Sequence, residues 1–397
     1  MEAPIDRLPV EIWQDILLLA IESDGSSVFA ITCTVSTFIY ALDPEMDLYD
    51  SYIKYMRRRA TLRRVCRAWN QFLQSTNSWW IYVRGPNHPR TTLDLPSITD
   101  QVPIIKRLSM TITAHDCAQP GLNWAFDFLQ RVKAPIVSCD LTLSLPPFAH
   151  LAHGPYDVLA AVGHKVALHS LQIACTNAQK CVSISFAQLS AHFKDLVSLS
   201  LYDVIMRSTE ELTLPCLEHF YIHNYLDKPP LPTQGWNLPR LRHVYIAIIP
   251  TPSGSVVLRF LRRYASQLES LILVEYPGCS GLPHDFWESF TALQLLGAPY
   301  HVLADRHWSG WAITPPHAHP LRYIACSDCT HVDRTIDAIR SNWTYHEEVA
   351  LLVEYNTTGE YYLVEGIKKE GWKTRMTKTN GILPLRRPMS LLTSPNL

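Results

Sequence analysis

Two similar segments in the middle of the chain decide its fold: Leu214-Pro-Cys-Leu-Glu-His-Phe-Tyr-Ile222 and Leu238-Pro-Arg-Leu-Arg-His-Val-Tyr-Ile246. Both follow the template Leu-x-x-Leu-x-Leu, in which other apolar residues can replace leucine. The last two apolar positions of the template alternate with other residues, so they point to one face of an extended strand. Each segment is therefore predicted to form one short strand with a buried apolar face.

The template recurs across residues 105–326, with successive copies starting 21 to 32 residues apart. The apolar triplets are Ile105/Leu108/Met110, Ile136/Cys139/Leu141, Leu168/Leu171/Ile173, Leu196/Leu199/Leu201, Leu217/Phe220/Ile222, Leu241/Val244/Ile246, Leu268/Leu271/Leu273, Phe290/Leu293/Leu295 and Leu321/Ile324/Cys326. No unit can cover its apolar face alone, whereas stacked units merge these faces into one core. Residues 85–330 thus resemble irregular leucine-rich repeats, which implies a solenoid with a parallel sheet on its concave face. The alternative is an ordinary α/β domain with frequent strands.

The composition favours a folded chain and excludes several function classes. The 397 residues are 47% apolar and 18% charged, in the range of globular proteins. With 35 basic and 36 acidic residues, a globally basic nucleic-acid binder is excluded. The uncharged stretch 25–42 contains several Ser and Thr residues, so we expect a buried helix rather than a membrane span. The acidic start and the ten scattered cysteines predict an intracellular protein, cytoplasmic or nuclear, with reduced thiols.

Two motifs near the start resemble an F-box. The first is Leu8-Pro-Val-Glu-Ile12 followed by Ile16-Leu17, and the second is Leu62-Arg-Arg-Val-Cys-Arg-Ala-Trp69, with Trp79-Trp80 closing the segment. The resemblance covers residues 1–84 and is interrupted by an insert at about residues 24–55, which a compact F-box lacks. A single helix is predicted from Met56 to Leu73, because apolar residues recur there at helical spacing.

The resemblance implies that the chain recruits substrates to an SCF-type ubiquitin ligase. Its F-box would bind the Skp1 adaptor, and through it a cullin, while the repeats hold an unidentified target protein. The motif match assigns to the F-box core and adaptor surface the residues Leu8, Pro9, Ile12, Ile16, Leu17, Val65 and Trp69. The apolar pattern of the first helix is consistent with this assignment. It has apolar residues on more than one side and therefore needs a partner or deep burial. The alternative is a non-catalytic repeat scaffold whose degenerate F-box binds no adaptor.

The repeats also suggest where a target could bind. Residues between the ladder positions face the concave side, at Ser109, Asp140, Gln172, Ser200, Tyr221, Tyr245, Ile272, Gln294 and Ala325. A patch rich in Tyr and His results, consisting of Tyr202, His219, Tyr221, His223, His243 and Tyr245. Such side chains suit a recognition surface. Equally, they can be cross-strand pairs that stabilise the sheet.

Catalytic and cofactor motifs were sought and none is convincing, so the sequence predicts a protein that is not an enzyme and has no cofactor. Cys326 and Cys329, with nearby histidines, have zinc-like spacing, but Cys326 occupies a buried ladder position. The arginine run from Arg57 to Arg67 could meet phosphates, yet a solvated helix face has the same appearance. Neither a nucleic acid nor a membrane is expected as a partner.

The last region, residues 331–397, is predicted to cap the solenoid. It contains two strand-like runs, Val349–Tyr355 and Tyr361–Val364, around a turn at Asn356–Gly359, followed by a proline-bearing tail predicted to be mobile. The whole chain is thus predicted to be α+β, with a helical N-terminal domain followed by an α/β solenoid.

Overall fold

Parallel β-strands joined by helices and turns form most of the described structure, which is a computed structural model. The described residues are 9–10, 12–14, 16–17, 48–75, 80–84, 104–113, 123–144, 160–163, 168–175, 183–202, 204–206, 211–224, 235–248, 254–274, 285–299, 315–316, 318–329, 350–355, 360–364 and 377–379. The chain divides into two units, Met1–Thr176 and Asn177–Leu397. No helix among the described residues combines the length and apolar character that crossing a membrane requires.

The first unit contains a sheet of four parallel strands in sequence order. These strands are β1 (Trp80–Arg84), β2 (Ile105–Thr113), β3 (Ile136–Ser144) and β4 (Ser170–Cys175). Template residues align across the sheet, since Leu108 pairs with Cys139 and Cys139 pairs with Leu171. All three side chains are fully buried. The template therefore places its apolar residues on one face of the sheet, named here the ladder face.

The helices of the first unit differ from the prediction in one respect. They are α1 (Leu48–Leu62), α2 (Arg67–Ser75) and α3 (Asn123–Arg131). The single helix predicted from Met56 to Leu73 is wrong, because residues 63–66 form a turn between α1 and α2. Two hydrogen bonds hold the helices across this turn: the buried Arg59 guanidinium donates to the Leu73 carbonyl, and Arg63 Nε donates to Asn70 Oδ1 at 2.9 Å.

Aromatic side chains of α1 cover the other face of this sheet, named here the opposite face. Trp80 and Tyr82 alternate with Ile81, which is paired with a ladder residue, so both point away from the ladder face. The ring centroid of Tyr52 lies 5.6 Å from that of Tyr82 in a stacked arrangement and 5.7 Å from that of Trp80, edge-on. Tyr55 lies 5.3 Å from Trp80. The helical region is thus anchored to β1 through aromatic contacts.

The second unit contains seven parallel strands followed by two antiparallel ones. The parallel strands are β6 (Ser198–Tyr202), β9 (His219–Asn224), β11 (His243–Ile248), β12 (Ser270–Val274), β13 (Leu295–Pro299), β14 (Tyr323–Cys329) and β15 (Ala350–Tyr355). Then β16 (Glu360–Val364) pairs antiparallel with β15, which confirms the predicted hairpin, and β17 (Thr377–Thr379) pairs antiparallel with β16. Two short parallel pairs join β5 (Ser183–Ile184) to β7 (Ile205–Met206) and β8 (Leu212–Thr213) to β10 (Trp236–Asn237).

A recurring turn precedes the strands of the second unit. The Leu217 amide donates to the Leu214 carbonyl at 3.2 Å, and the Leu241 amide donates to the Leu238 carbonyl at 3.1 Å. The same three-residue step joins Leu196 to Phe193 and Leu293 to Phe290. Each turn buries its leucine completely just before the strand begins. The sequence similarity of the run-in segments therefore corresponds to one repeated backbone arrangement.

One predicted triplet, Phe290/Leu293/Leu295, is displaced by three residues. Leu271 pairs with Leu296 and Ile272 pairs with Gly297, so the ladder residues of this unit are Leu293, Leu296 and Ala298. Gly297, and not Gln294, occupies the middle position on the opposite face. The error arose because the leucine-rich run satisfies the template in two registers, and the true last position is the small residue Ala298. A Cβ at Gly297 would lie 2.8 Å from the Ile272 side chain.

Helices cover the ladder face of the second unit. They are α4 (Phe186–His192), α5 (Gly254–Arg262) and α6 (Phe286–Ser289). The Trp236 ring contacts Phe186 of α4, the ladder residue Phe220 and Phe260 of α5, with centroid distances of 5.1, 5.5 and 5.1 Å. Ser185 caps α4, accepting a hydrogen bond from the Gln188 amide. The second unit is therefore α/β, with mostly parallel strands and with α4 and α5 packed on the ladder face.

Candidate functional site

The exposed apolar side chains of the described residues are concentrated at the start of the chain. Five large apolar residues are exposed there, and all precede residue 66: Val10 at 52%, Ile12 at 46%, Ile16 at 51%, Met56 at 39% and Val65 at 58%. These five residues are called here the N-terminal apolar set. Among the described residues of the two sheets, no large apolar side chain is exposed to this extent.

The N-terminal helical segment, described at residues 10, 12–14 and 16–17, exposes part of this set, because its described side chains divide into packed and solvent-facing ones. Its first turn is fixed by the amides of Ile12 and Trp13, which donate to the Pro9 carbonyl at 3.0 and 3.3 Å. The Trp13 ring meets Phe72 of α2 edge-on, with centroids 5.6 Å apart. Leu17 is buried. Ile12 and Ile16 are one helical turn apart and face solvent, so the segment is docked on one side and bare on the other.

The residues assigned to the adaptor by the motif match divide into two groups. Pro9, Ile12, Ile16 and Val65 are exposed, whereas Leu17 is buried and Trp69 is half-buried. Leu8 lies outside the described residues. The exposed group is accessible to a partner, Leu17 belongs to the interior, and Trp69 is only partly accessible.

The aromatic residues proposed for target binding form a stack on the opposite face of the second unit. Tyr221 and Tyr245 are paired in register on β9 and β11, and their rings are parallel with centroids 4.1 Å apart. Tyr202 adds a tilted contact to Tyr221 at 4.7 Å. All three rings are buried. Burial, followed by the neighbouring phenols of Tyr202 and Tyr245, raises the pKa of Tyr221 well above its usual value.

The histidines of the same face form a second stack. The rings of His219 and His243 are parallel with centroids 4.5 Å apart, and His243 Nδ1 hydrogen-bonds to Ser270 Oγ at 3.0 Å. Burial, followed by the nearby Arg242 cation, lowers the pKa of His219 to about 4. Burial, followed by His219 and Arg242, lowers the pKa of His243 to about 3. Both imidazoles are therefore neutral at pH 7.

These stacks favour the stabilising interpretation of the Tyr and His patch. A recognition surface needs accessible side chains, yet Tyr202, His219, Tyr221, His243 and Tyr245 are all buried. The backbone of His223 pairs with Tyr202 and Ala247, and its side chain lies outside the described set. Cross-strand stacking explains the clustering without a target. Contact between this patch and a target stays a prediction.

A buried polar cluster occupies the opposite face of the first unit, which sequence reasoning did not identify. Arg107 Nε donates to Asp140 Oδ2 at 2.5 Å, and Ser109 Oγ donates to the same oxygen at 2.8 Å. The Arg107 guanidinium lies 4.3 Å from the Trp80 ring centre, and Trp80 Nε1 donates to Ser109 Oγ at 2.9 Å. All four residues are buried. The sequence pattern placed Ser109 and Asp140 between the ladder positions and predicted that both face outward, but it did not indicate that they are buried or that they contact Arg107.

The zinc hypothesis gains no support from the histidine whose side chain is described. His319 Nε2 hydrogen-bonds to the Phe290 carbonyl at 2.9 Å, and its ring packs on Trp287 with centroids 4.9 Å apart. Within the described ranges, no group of three or more His, Cys, Asp or Glu side chains converges as a metal site requires. The side chains of Cys326 and Cys329 are outside that description.

Comparisons with known proteins add no assignment: no family model matches the chain, and no match to it was found among curated proteins. Its function is therefore argued from the residues and their geometry.

Proposed function

We propose that this protein is a non-catalytic substrate receptor of an SCF-type ubiquitin ligase. The N-terminal helices bind a Skp1-type adaptor, which connects the chain to a cullin, and the remaining units are irregular leucine-rich repeats that hold a target protein. The proposal combines the two F-box-like motifs with the repeating template.

One observation supports it most: four of the five members of the N-terminal apolar set lie within the F-box-like motifs, and the fifth, Met56, lies six residues before the second motif. Single exposed apolar residues are common on protein surfaces and by themselves mean little. Here, however, the exposed large apolar residues of the described chain all lie in the segment that resembles an adaptor-binding domain. Exposed apolar residues confined to one segment are typical of a surface that a partner covers.

The register of the strands supports the repeat part of the proposal. Ladder positions pair across successive strands, and the recurring turn before β6, β9, β11 and β13 gives these units a common structure. Such one-dimensional stacking is the arrangement expected of a solenoid. The proposal does not place target binding at the Tyr and His stacks, because those side chains are buried.

Adaptor binding by a variant of the exposed stripe tests the proposal. We expect the full chain to bind its purified Skp1-type adaptor, and Ile12→Ser with Ile16→Ser to weaken that binding by at least roughly tenfold, because two apolar anchors are lost. The measurement is calorimetric titration of wild type and variant at the same protein concentration.

Leu17→Ala is the matched control, since Leu17 belongs to the same segment but is buried. The double variant should unfold at the wild-type temperature, whereas Leu17→Ala should lower it by removing core contacts. Absence of adaptor binding by the wild-type chain would refute the proposal and favour a repeat scaffold. Unchanged binding by the folded double variant would show that this stripe is not the binding surface.

A further inference from the structure

The segment that carries Met56 and Val65 is unusually basic. Between Asp50 and Asp94 the sequence contains no acidic residue and nine cations: Lys54, Arg57, Arg58, Arg59, Arg63, Arg64, Arg67, Arg84 and Arg90. The whole chain has a net charge of −1, so this local excess of positive charge is not a general property of the protein. It calls for a local physical explanation.

The structure separates these arginines by what they do. Arg59 is buried and bonded to the Leu73 carbonyl, and Arg63 bonds to Asn70, so both hold α1 against α2. Arg57, Arg64 and Arg67 instead have exposed side chains. Within the described part of the chain, no carboxylate forms an ion pair with any of these three.

The three exposed arginines are interleaved with two members of the N-terminal apolar set. Arg57 follows Met56 directly on α1, and Val65 lies between Arg64 and Arg67 around the turn to α2. Because the exposed arginines flank Met56 and Val65 in the chain and have long side chains, a partner that removes both apolar residues from water comes within reach of their guanidinium groups. Desolvating a cation without supplying a counter-charge is costly.

We infer that the partner covering this surface is a protein that presents carboxylates opposite Arg57, Arg64 and Arg67 around an apolar cleft. The inference rests on the proposed function and deepens it, because it states the chemistry of the surface that receives α1 and the turn. Carboxylates offer planar acceptors that match the guanidinium fork.

Two other anionic partners fit less well. A nucleic acid would neutralise the arginines, but its phosphate backbone offers little that could bury Met56 and Val65. An anionic membrane favours large apolar side chains that project far enough to enter the acyl region. Among the described residues, none of the exposed large apolar side chains is Trp, Phe or Leu, the types that enter the acyl region.

Charge reversal tests the inference with the full chain and its purified Skp1-type adaptor. We expect wild-type association to slow as NaCl is raised from about 25 mM to about 400 mM, because salt screens charge steering. Arg57→Glu with Arg64→Glu should lower the association rate constant roughly tenfold at low salt and remove most of the salt dependence. Arg57→Lys with Arg64→Lys should retain most of the rate, since the charge is kept.

The matched control is Arg131→Glu, an exposed cation at the end of α3. It should leave the association rate within about twofold of wild type, because it is outside the proposed surface. Adaptor binding that is insensitive to both salt and the Arg57/Arg64 reversal would overturn the inference while leaving the proposed function intact. Absence of binding by the wild type would defeat both.

Two further probes test the class of partner. Vesicles of phosphatidylserine and phosphatidylcholine, and a DNA duplex of arbitrary sequence, are offered to the wild type at the same low salt. We expect neither to bind as tightly as the adaptor. Tighter binding to vesicles or to DNA, lost on reversal of Arg57 and Arg64, would overturn the assignment to an acidic protein.

Discussion

The N-terminal helices and the sheets differ in how completely they bury their apolar side chains. In the sheets each strand covers its neighbour, so the ladder residues are buried and even the opposite face is closed by stacked rings and a buried ion pair. The helical segment instead packs Trp13 and Leu17 inward and leaves Ile12 and Ile16 in water. A partner is therefore expected at the helices, whereas the described parts of the sheets bury their large apolar side chains within the chain.

The largest expected effect within the sheets is loss of the buried ion pair. Asp140→Ala should destabilise the fold by about 3–5 kcal/mol, because Arg107 would remain buried without its counter-ion. Urea unfolding measures the change. Arg242→Ala is the control, since it breaks the exposed Arg242–Glu269 pair and should cost less than about 1 kcal/mol. Similar losses for both variants would show that the first unit's opposite face is not closed as described.

Acid should weaken the second unit through its stacked histidines. Both pKa values are lowered in the folded chain, so as the pH falls from 7 to 5 the histidines of the unfolded chain take up protons while those of the folded chain stay mostly neutral. The free energy of unfolding should therefore decrease as the pH is lowered, by about 2 kcal/mol for each histidine from pH 7 to pH 5. Urea titrations at several pH values measure it.

His219→Gln with His243→Gln is the comparison for this pH dependence. Loss of the stacked rings should make this double variant less stable than wild type at pH 7. Its stability should nevertheless change less than that of wild type between pH 7 and pH 5, because the two titrating imidazoles are absent. An equal dependence on pH in variant and wild type would mean that these imidazoles are accessible to protons, and hence that this face is open.

A smaller effect is expected where Gly297 of β13 lies beside Ile272 of β12. Gly297→Ala should cost about 1–3 kcal/mol, because its Cβ would lie 2.8 Å from the Ile272 side chain. Ile272→Ala removes the obstructing atoms, so the double variant should lose less stability than the sum of the single variants. Strict additivity in this double-mutant cycle would contradict the register that places Ile272 beside Gly297.

Much of the parallel architecture could be predicted, because a repeated template states directly which residues share a buried face. The template failed at Phe290, where a leucine-rich run fits two registers and a small residue, Ala298, takes a ladder position. It also could not show that Tyr221 and His243 are buried, since alternation assigns a side chain to a face without saying what covers that face.

Within the candidate site, the apolar surplus of residues 10–17 was readable from the sequence. The break between α1 and α2 was not, because helical spacing of the apolar residues continues through residues 63–66 although the backbone turns there. Hydrogen bonds of Arg59 and Arg63 hold the two helices across this turn. The separation of the arginines into internal and exposed groups depends on that same turn. It therefore required the structure.

Hydrogen exchange of the full chain, with and without a purified Skp1-type adaptor, which is the proposed partner, tests the contrast between helices and sheets most directly. Binding should slow amide exchange in residues 10–17 and 56–68 and leave β9 and β11 unchanged, because the exposed large apolar side chains of the described residues all lie in the helical region. Protection of β9 and β11 by the adaptor, with residues 10–17 and 56–68 unaffected, would contradict this account.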